Sequence, residues 1–245
     1  MKNRIAVLNT QINAVTMEEA VSLIEKFIQE RVPHLVATAN AEMVMLAEKD
    51  KELAEILKNA DLIVPDGAGV VWAARHQGYI VPERVAGYDL VQYLLKRSAA
   101  KGYRVFLFGG SPGIADRARI VAEQYYKGVK ILGTCNGFFD AKREQEIIQM
   151  IQSLQPDILL VALGVPKQEK WLARHMSQLN VPVSIGVGGT FDVMSGVMKR
   201  APLWMQRANI EWLFRLISQP KRAMRMLALP HFVFKVLSIK KHGQK

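Results

Sequence analysis

Residues 158–171 read ILLVALGVPKQEKW, and the change of character between Leu163 and Gly164 decides the fold. Six apolar residues without polar alternation describe a strand covered on both faces, as in the middle of a parallel sheet. The glycine, proline and charged residues that follow describe the loop leading out of it. Outward from this run, further short apolar segments recur at His34–Thr38, Leu62–Val64, Arg104–Phe108, Val129–Leu132 and Val183–Val187. Longer stretches with helical periodicity lie between them. Met43, Leu46, Ala47, Leu53, Ala54 and Leu57 share one such spacing, and Ile147, Ile148, Ile151 and Leu154 another. This alternation predicts an α/β fold with a Rossmann-like, mostly parallel, doubly wound sheet over residues 1–195. Ile5–Leu8 and Ile12–Val15 predict a small extra strand pair at the amino terminus.

The last fifth of the chain has a different composition. Residues 196–245 hold eleven Lys or Arg and one acid, Glu211, whereas the rest holds 22 basic and 21 acidic residues. Nearly all of the formal charge of +11 therefore sits in a basic, helix-rich appendage, residues 196–245. Its Met, Leu, Val and Phe residues suit an anionic membrane surface better than a nucleic acid, whose phosphates need no such apolar partners. No run reaches the roughly 20 apolar residues that span a bilayer. The N-terminal segment lacks the apolar core of a secretory signal, and the lone Cys135 fits a reducing compartment. The expectation is a cytoplasmic protein, peripheral on the inner face of the membrane; a homo-oligomer is compatible with the sequence.

In open parallel sheets ligands bind beyond the carboxyl ends of the strands. That rule selects Thr38 and Asn40, Asp66 and Gly67, Gly109–Gly113, Gly164–Gln168, and Gly188–Asp192. Asp66, in LIVPDG, is either a helix N-cap or turn residue, or a base that accepts a proton from a sugar hydroxyl. Asn40 reads equally as the cap of the next helix or as a sugar ligand, and Thr38 as a strand end or a ligand. The glycine clusters GGSPG and GVGGTFD suit close approach of backbone N–H groups to phosphate, or tight turns alone. Neither is a dinucleotide fingerprint or a Walker A loop, which weakens an NAD-dependent oxidoreductase as a rival. Gln168 emerges where a sugar or phosphate would lie. Arg84 pairs with Glu83 or reaches a phosphate. No D-x-D pair is present and the five histidines are scattered, so neither metal nor other cofactor is expected. Arg222 and Arg225, three apart on a helix starting near Pro220, share a face, with Arg215 near it if the helix continues.

TANAEMV, ADLIVPDGAGVVWAAR, ERVAGYDL, FLFGGSPGIA, LLVALGVPKQEKW, GVGGTFDVMSG and RAPLWMQRANIEWLFRLISQPKR occur here in order over residues 34 to about 222. Together they resemble the WecG/TagA/CpsF glycosyltransferase family. The resemblance implies a metal-independent, inverting transferase acting on an undecaprenyl-diphosphate-linked sugar. In the TagA branch, N-acetylmannosamine passes from its UDP derivative to the 4-hydroxyl of lipid-linked N-acetylglucosamine, in wall teichoic acid linkage-unit synthesis. The WecG branch uses the uronic acid form. By that resemblance Asp66 matches the general base, and Thr38, Asn40, Arg84 and Gln168 match pocket positions. Gly188, Gly189 and Asp192 belong to the UDP-binding segment. Arg215, Arg222 and Arg225 are candidates for the diphosphate, on a membrane-associating appendage. A nucleotide-binding membrane module without catalysis is the non-enzymatic alternative.

Overall fold

The computed structural model describes residues 4–208, 210–218 and 228–238. An amino-terminal hairpin pairs β1 (Arg4–Val7) with β2 (Thr10–Asn13) antiparallel. The remaining strands are β3 (His34–Ala39), β4 (Leu62–Pro65), β5 (Arg104–Gly109), β6 (Lys130–Cys135), β7 (Ile158–Ala162) and β8 (Val183–Gly186). They form one six-stranded sheet in the order β4-β3-β8-β7-β5-β6, with every neighbour pair parallel. The sheet is the Rossmann-like, doubly wound one expected from the apolar runs.

Helices cover both faces, and the alternation of side chains explains the uninterrupted apolar runs. On β7, Leu159 and Val161 join one core cluster, while Ile158, Leu160 and Ala162 join the other. The first core is closed by α2 (Ala41–Ala47), α3 (Lys51–Asn59), α4 (Ala68–His76), α7 (Ala141–Leu154) and α8 (Lys167–Leu179). The second is closed by α1 (Met17–Glu30), α5 (Gly87–Lys101), α6 (Ile114–Tyr125) and the short α9 (Thr190–Met194). A period of two on both faces needs no polar positions at all.

The helical spacing from Met43 to Leu57 is divided in the structure. Helix α2 ends at Ala47, and Asp50 starts α3 by accepting a hydrogen bond from the Leu53 backbone at 3.1 Å. An Asp inside an apolar periodicity is a stronger start signal than the periodicity is a continuity signal.

Past residue 196 the chain continues as α10 (Leu203–Arg207), α11 (Glu211–Ser218) and α12 (Ala228–Ser238). Helix α12 packs against α2 and α4, burying Phe232 and Val236 completely and pairing Lys235 with Glu48 at 2.5 Å. Its other side leaves Phe234 and Leu237 exposed, as Leu203, Trp204 and Ile217 are on α10 and α11. No helix among the described residues is long and apolar enough to cross a membrane.

The strand order fixes where a ligand can enter. From β5 the chain crosses outward to β6, whereas from β7 it crosses the opposite way to β8. Adjacent strands whose crossovers diverge leave a crevice between their carboxyl ends. Gly109 closes β5 at that crevice with φ 125°, a conformation that disfavours side chains. A Cβ there would collide with the Ala162 backbone.

Candidate active site

Asp66 follows β4 directly, and its carboxylate reaches beyond its own loop. The cap position of α4 belongs to Gly67, which supplies no side-chain bond. The Asp66 carboxylate instead accepts a hydrogen bond from the Gly87 backbone N–H at 2.8 Å, at the first residue of α5. A carboxylate facing a helix N-terminus is favoured by the unpaired N–H groups there. The local-cap alternative for Asp66 therefore gives way to a long-range contact across 21 residues.

Around this carboxylate lies a small polar pocket of about 40 Å³, whose wall includes Thr38, Gly87, Tyr88, Thr190, Arg200 and Glu211. Thr38 is buried and donates to the Gly186 carbonyl at 3.1 Å, tying β3 to the end of β8. Asn40 caps α2, accepting from the Met43 backbone at 2.9 Å. Arg84 does not pair with Glu83, whose carboxylate accepts from the Met17 backbone instead. Its guanidinium donates through Nε to the Asp66 carbonyl at 2.7 Å and through Nη2 to Glu211 at 2.9 Å.

Gln168 is 1% exposed and spans two loops. Its Oε1 accepts from the Gly164 and Gly188 backbones at 3.1 and 3.0 Å, and its Nε2 donates to Glu169 at 2.8 Å. The amide thus holds the loops after β7 and β8 together. Burial pushes the Glu169 carboxyl up to about 7, against the opposing effect of its hydrogen bond from Gln168. A Cβ at Gly186 would meet Gln168 Nε2 at 2.6 Å and Glu169 Oε1 at 2.8 Å, so glycine is what admits this pair beneath the loops.

Beside the small pocket opens a cleft of about 720 Å³ at the divergence of β5 and β7, within the size range of ligand sites. Phe138, Phe139 and Trp171 give it an aromatic wall, and Gly110 and Ser111 a backbone floor. Trp171 is fixed by its indole N–H bond to Glu144 at 2.8 Å and by a tilted contact with Phe108. Among the described residues lining the cleft, the cations are Lys167, Lys170 and Arg174. Lys170 is engaged by Asp50 and Glu52 at 2.6 and 2.7 Å. Helix α9 separates the two cavities: Gly189, Thr190 and Val193 line the small one and Asp192 lines the large one. Gly188 sits at the turn with φ 52°, held by Gln168.

The structure therefore brings Thr38, Asp66, Gly189 and, through its bonds, Arg84 to one pocket, and puts Asp192 on the neighbouring cleft. Gln168 and Gly188 support both from below. Arg215 lies in α11, but its side chain, like the whole of Arg222 and Arg225, is outside the described residues.

Residues 5–245 match the glycosyl transferase WecG/TagA/CpsF family model. The chain belongs to the WecG/TagA/CpsF glycosyltransferase family. It is 36% identical over 216 residues to the N-acetylglucosaminyldiphosphoundecaprenol N-acetyl-beta-D-mannosaminyltransferase of Bacillus subtilis (strain 168), covering 88% of this chain and 84% of that protein. A protein of the same name from Staphylococcus aureus (strain MRSA252) is 30% identical over 244 residues, covering 99% of this chain and 95% of its own length.

Three features of this glycosyltransferase escaped the residue-by-residue reading. Glu211 lies in the small pocket although it is the lone acid of the basic segment; that isolation was the available signal. Arg200 reaches the same pocket by a bidentate pair with Asp89 at 2.6 and 2.7 Å, lying 4.6 Å over the Tyr88 ring. Phe138, Phe139 and Arg174 line the cleft from positions that carry no motif, and Lys170 from within GVPKQEKW, where it was not singled out; only the topology gathers them. Among the described residues, no three His, Cys, Asp or Glu side chains converge as a metal-binding group.

Proposed function

We propose that this glycosyltransferase moves N-acetylmannosamine from UDP-N-acetylmannosamine to the 4-hydroxyl of undecaprenyl-diphosphate-linked N-acetylglucosamine, with inversion, in wall teichoic acid linkage-unit synthesis. The observation that carries the reading is the pair of cavities sharing α9, one holding a carboxylate and the other large enough for a nucleotide sugar. The relatives' printed names support the sugar and the acceptor.

In this reading the nucleotide lies in the cleft, its base against Phe138 and Phe139. Its diphosphate faces Lys167, Arg174 and the N-terminus of α8, where aligned peptide dipoles favour negative charge. The donor sugar then projects past α9 towards Asp66. Asp66 accepts the proton of the acceptor hydroxyl as that oxygen attacks the anomeric carbon from the face opposite the leaving UDP. The bond to the diphosphate breaks as the new glycosidic bond forms, and the configuration inverts. Side-chain cations and helix ends stabilise the departing charge, so the reading needs no metal ion.

Residues 196–245 form the membrane-facing appendage of this proposal. Exposed Leu203, Trp204, Ile217, Phe234 and Leu237 would enter the headgroup region of the inner leaflet while the surrounding cations meet anionic lipid. The lipid-linked acceptor would then present its sugar to the Asp66 pocket without leaving the bilayer.

The test offers the purified protein UDP-N-acetylmannosamine, its uronic acid and other UDP-hexoses, with a lipid-diphosphate N-acetylglucosamine analogue. A disaccharide product carrying N-acetylmannosamine with inverted configuration is expected. Exclusive use of the uronic acid, or no transfer from any UDP-sugar, would refute the stated reaction.

A further inference from the structure

Three acids and two arginines meet where the appendage touches the body. Glu211 opens α11, a position at which a carboxylate is favoured by the helix dipole, and it is 7% exposed. Arg84, from the loop before α5, donates to Glu211 with one nitrogen and to the Asp66 backbone carbonyl with another. Arg200 lies with Nε 3.9 Å from Glu211 and forks onto Asp89 of α5. The Asp66 carboxylate is itself held by the first N–H of α5. Both ends of Asp66 thus hang on groups that the appendage grips: its carbonyl through Arg84, its carboxylate through the α5 N-terminus.

We infer that Glu211 is a positioning residue that couples seating of the appendage to the geometry of Asp66, acting through Arg84. When α11 docks, Glu211 draws the Arg84 guanidinium into one place, and the planar fork passes that constraint to the β4–α4 turn. A guanidinium suits this because its donors are fixed relative to one another. Lysine could not hold both acceptors in fixed directions. The coupling makes a carboxylate–arginine contact, buried at one end, into a sensor of whether the appendage is in place. It rests on the proposed role of Asp66 in glycosyl transfer.

The experiment is a double-mutant cycle with E211A, R84A and the double variant in the full chain, read in two ways. In turnover with the UDP-sugar and lipid-diphosphate acceptor, E211A is expected to lower kcat about 10–100-fold with donor KM within about twofold. Adding E211A to R84A is expected to cost nothing further, because Glu211 works through Arg84. Rescue should grade with chemistry: E211D, keeping the charge, and E211Q, keeping an acceptor, should each lie between E211A and the unsubstituted protein. Additive losses in kcat, or a variant E211A that is faster or binds acceptor more tightly, would overturn the inference, the latter by making Glu211 a competitor for Arg84. The second readout is the same cycle in thermal unfolding, which needs no reaction. Non-additive melting shifts support the contact, and strictly additive ones overturn it. Absence of transfer by the unsubstituted protein would count against the proposed function alone, since the unfolding cycle still decides the contact.

Discussion

The two ends of the parallel sheet use charge in opposite ways. At the amino ends of the strands, Asp157 is buried before β7 and saturated by neighbours. It takes the Arg104 backbone N–H at 2.8 Å, the Arg104 side chain at 3.2 Å and Arg31 at 2.6 Å. Nearby, His34 stacks on Phe27 and lies between Glu30 and Asp61. These contacts hold strands to helices; a cavity of about 380 Å³ opens beside them, lined by Arg31, Arg104, Gln152, Leu179 and Asn180, but neither Asp157 nor His34 lines it. At the carboxyl ends, the Asp66 carboxylate lines a cavity and is fixed from behind by backbone, above a buried polar pair. Asp66 hangs from Gly87, Gln168 spans two glycine loops, and Glu169 is buried with no cation paired to it among the described residues. A burial list alone does not separate the two sets; the direction each group faces does.

Substitution should split them. The largest effect is expected for Asp66→Asn, which keeps the shape and the bond from Gly87 but removes proton acceptance. Turnover should fall about 10²–10⁴-fold, while calorimetry shows donor affinity within about twofold. Unchanged turnover would remove Asp66 from the chemistry. Asp157→Asn should do the reverse, costing roughly 1–3 kcal/mol of unfolding free energy, with the partners' exposure keeping the loss below that of a fully buried pair. Turnover per folded molecule should stay unchanged. An Asp157→Asn variant that melts normally but turns over slowly would erase the distinction between the two ends.

Asp157 also gives a pH signature. Burial pushes its carboxyl up, but the bonds from Arg104 and then Arg31 outweigh burial and hold it below its ordinary 3.8. Its contribution is therefore complete above that unfolded value and is lost as the pH falls through the lower folded one. The difference in melting temperature between the natural chain and Asp157→Asn should be flat from pH 5 to 8 and shrink in stronger acid. A difference that grows on acidification would contradict the pairing.

The smallest effect concerns Glu169, whose folded value of about 7 lies above its ordinary 4.5. Its stabilising contribution is complete below the unfolded value and declines as the pH rises from there through 7. Glu169→Gln keeps an acceptor for Gln168 and does not titrate. Relative to the natural chain it should gain about 1–3 kcal/mol between pH 5 and pH 8, measured by denaturant unfolding. An equal offset at both values would show that Glu169 does not change its charge in that window.

The sheet was readable because all its strands but the edge strand β6 bury both faces: each apolar run predicts its strand to within a few residues. Asp66, Asn40, Thr38 and Gln168 were readable as candidates because strand ends are where open sheets bind. Their partners were not. That Asp66 faces α5 and not α4 depends on a contact across 21 residues, and the clamp of Gln168 adds to a local bond from Gly164 one across 20 residues from Gly188, on which local spacing is silent. The break between α2 and α3 needed a capping bond to outweigh an intact periodicity. Glu211 illustrates the same limit, since its solitude among cations was visible but its partner, Arg84, lies 127 positions away.

β4 is the outermost strand on its side of the sheet, and its flank would otherwise present unpaired backbone donors. The amino-terminal hairpin takes that flank: the Asn13 side chain accepts from the Ile63 N–H at 2.8 Å, and Arg4 reaches the carbonyls of Lys58 and Ala60. The strand whose tip carries the acid is thus shielded from lending its margin to a foreign chain. That guard keeps neighbouring copies of the chain from zipping onto the sheet beside the pocket that holds Asp66.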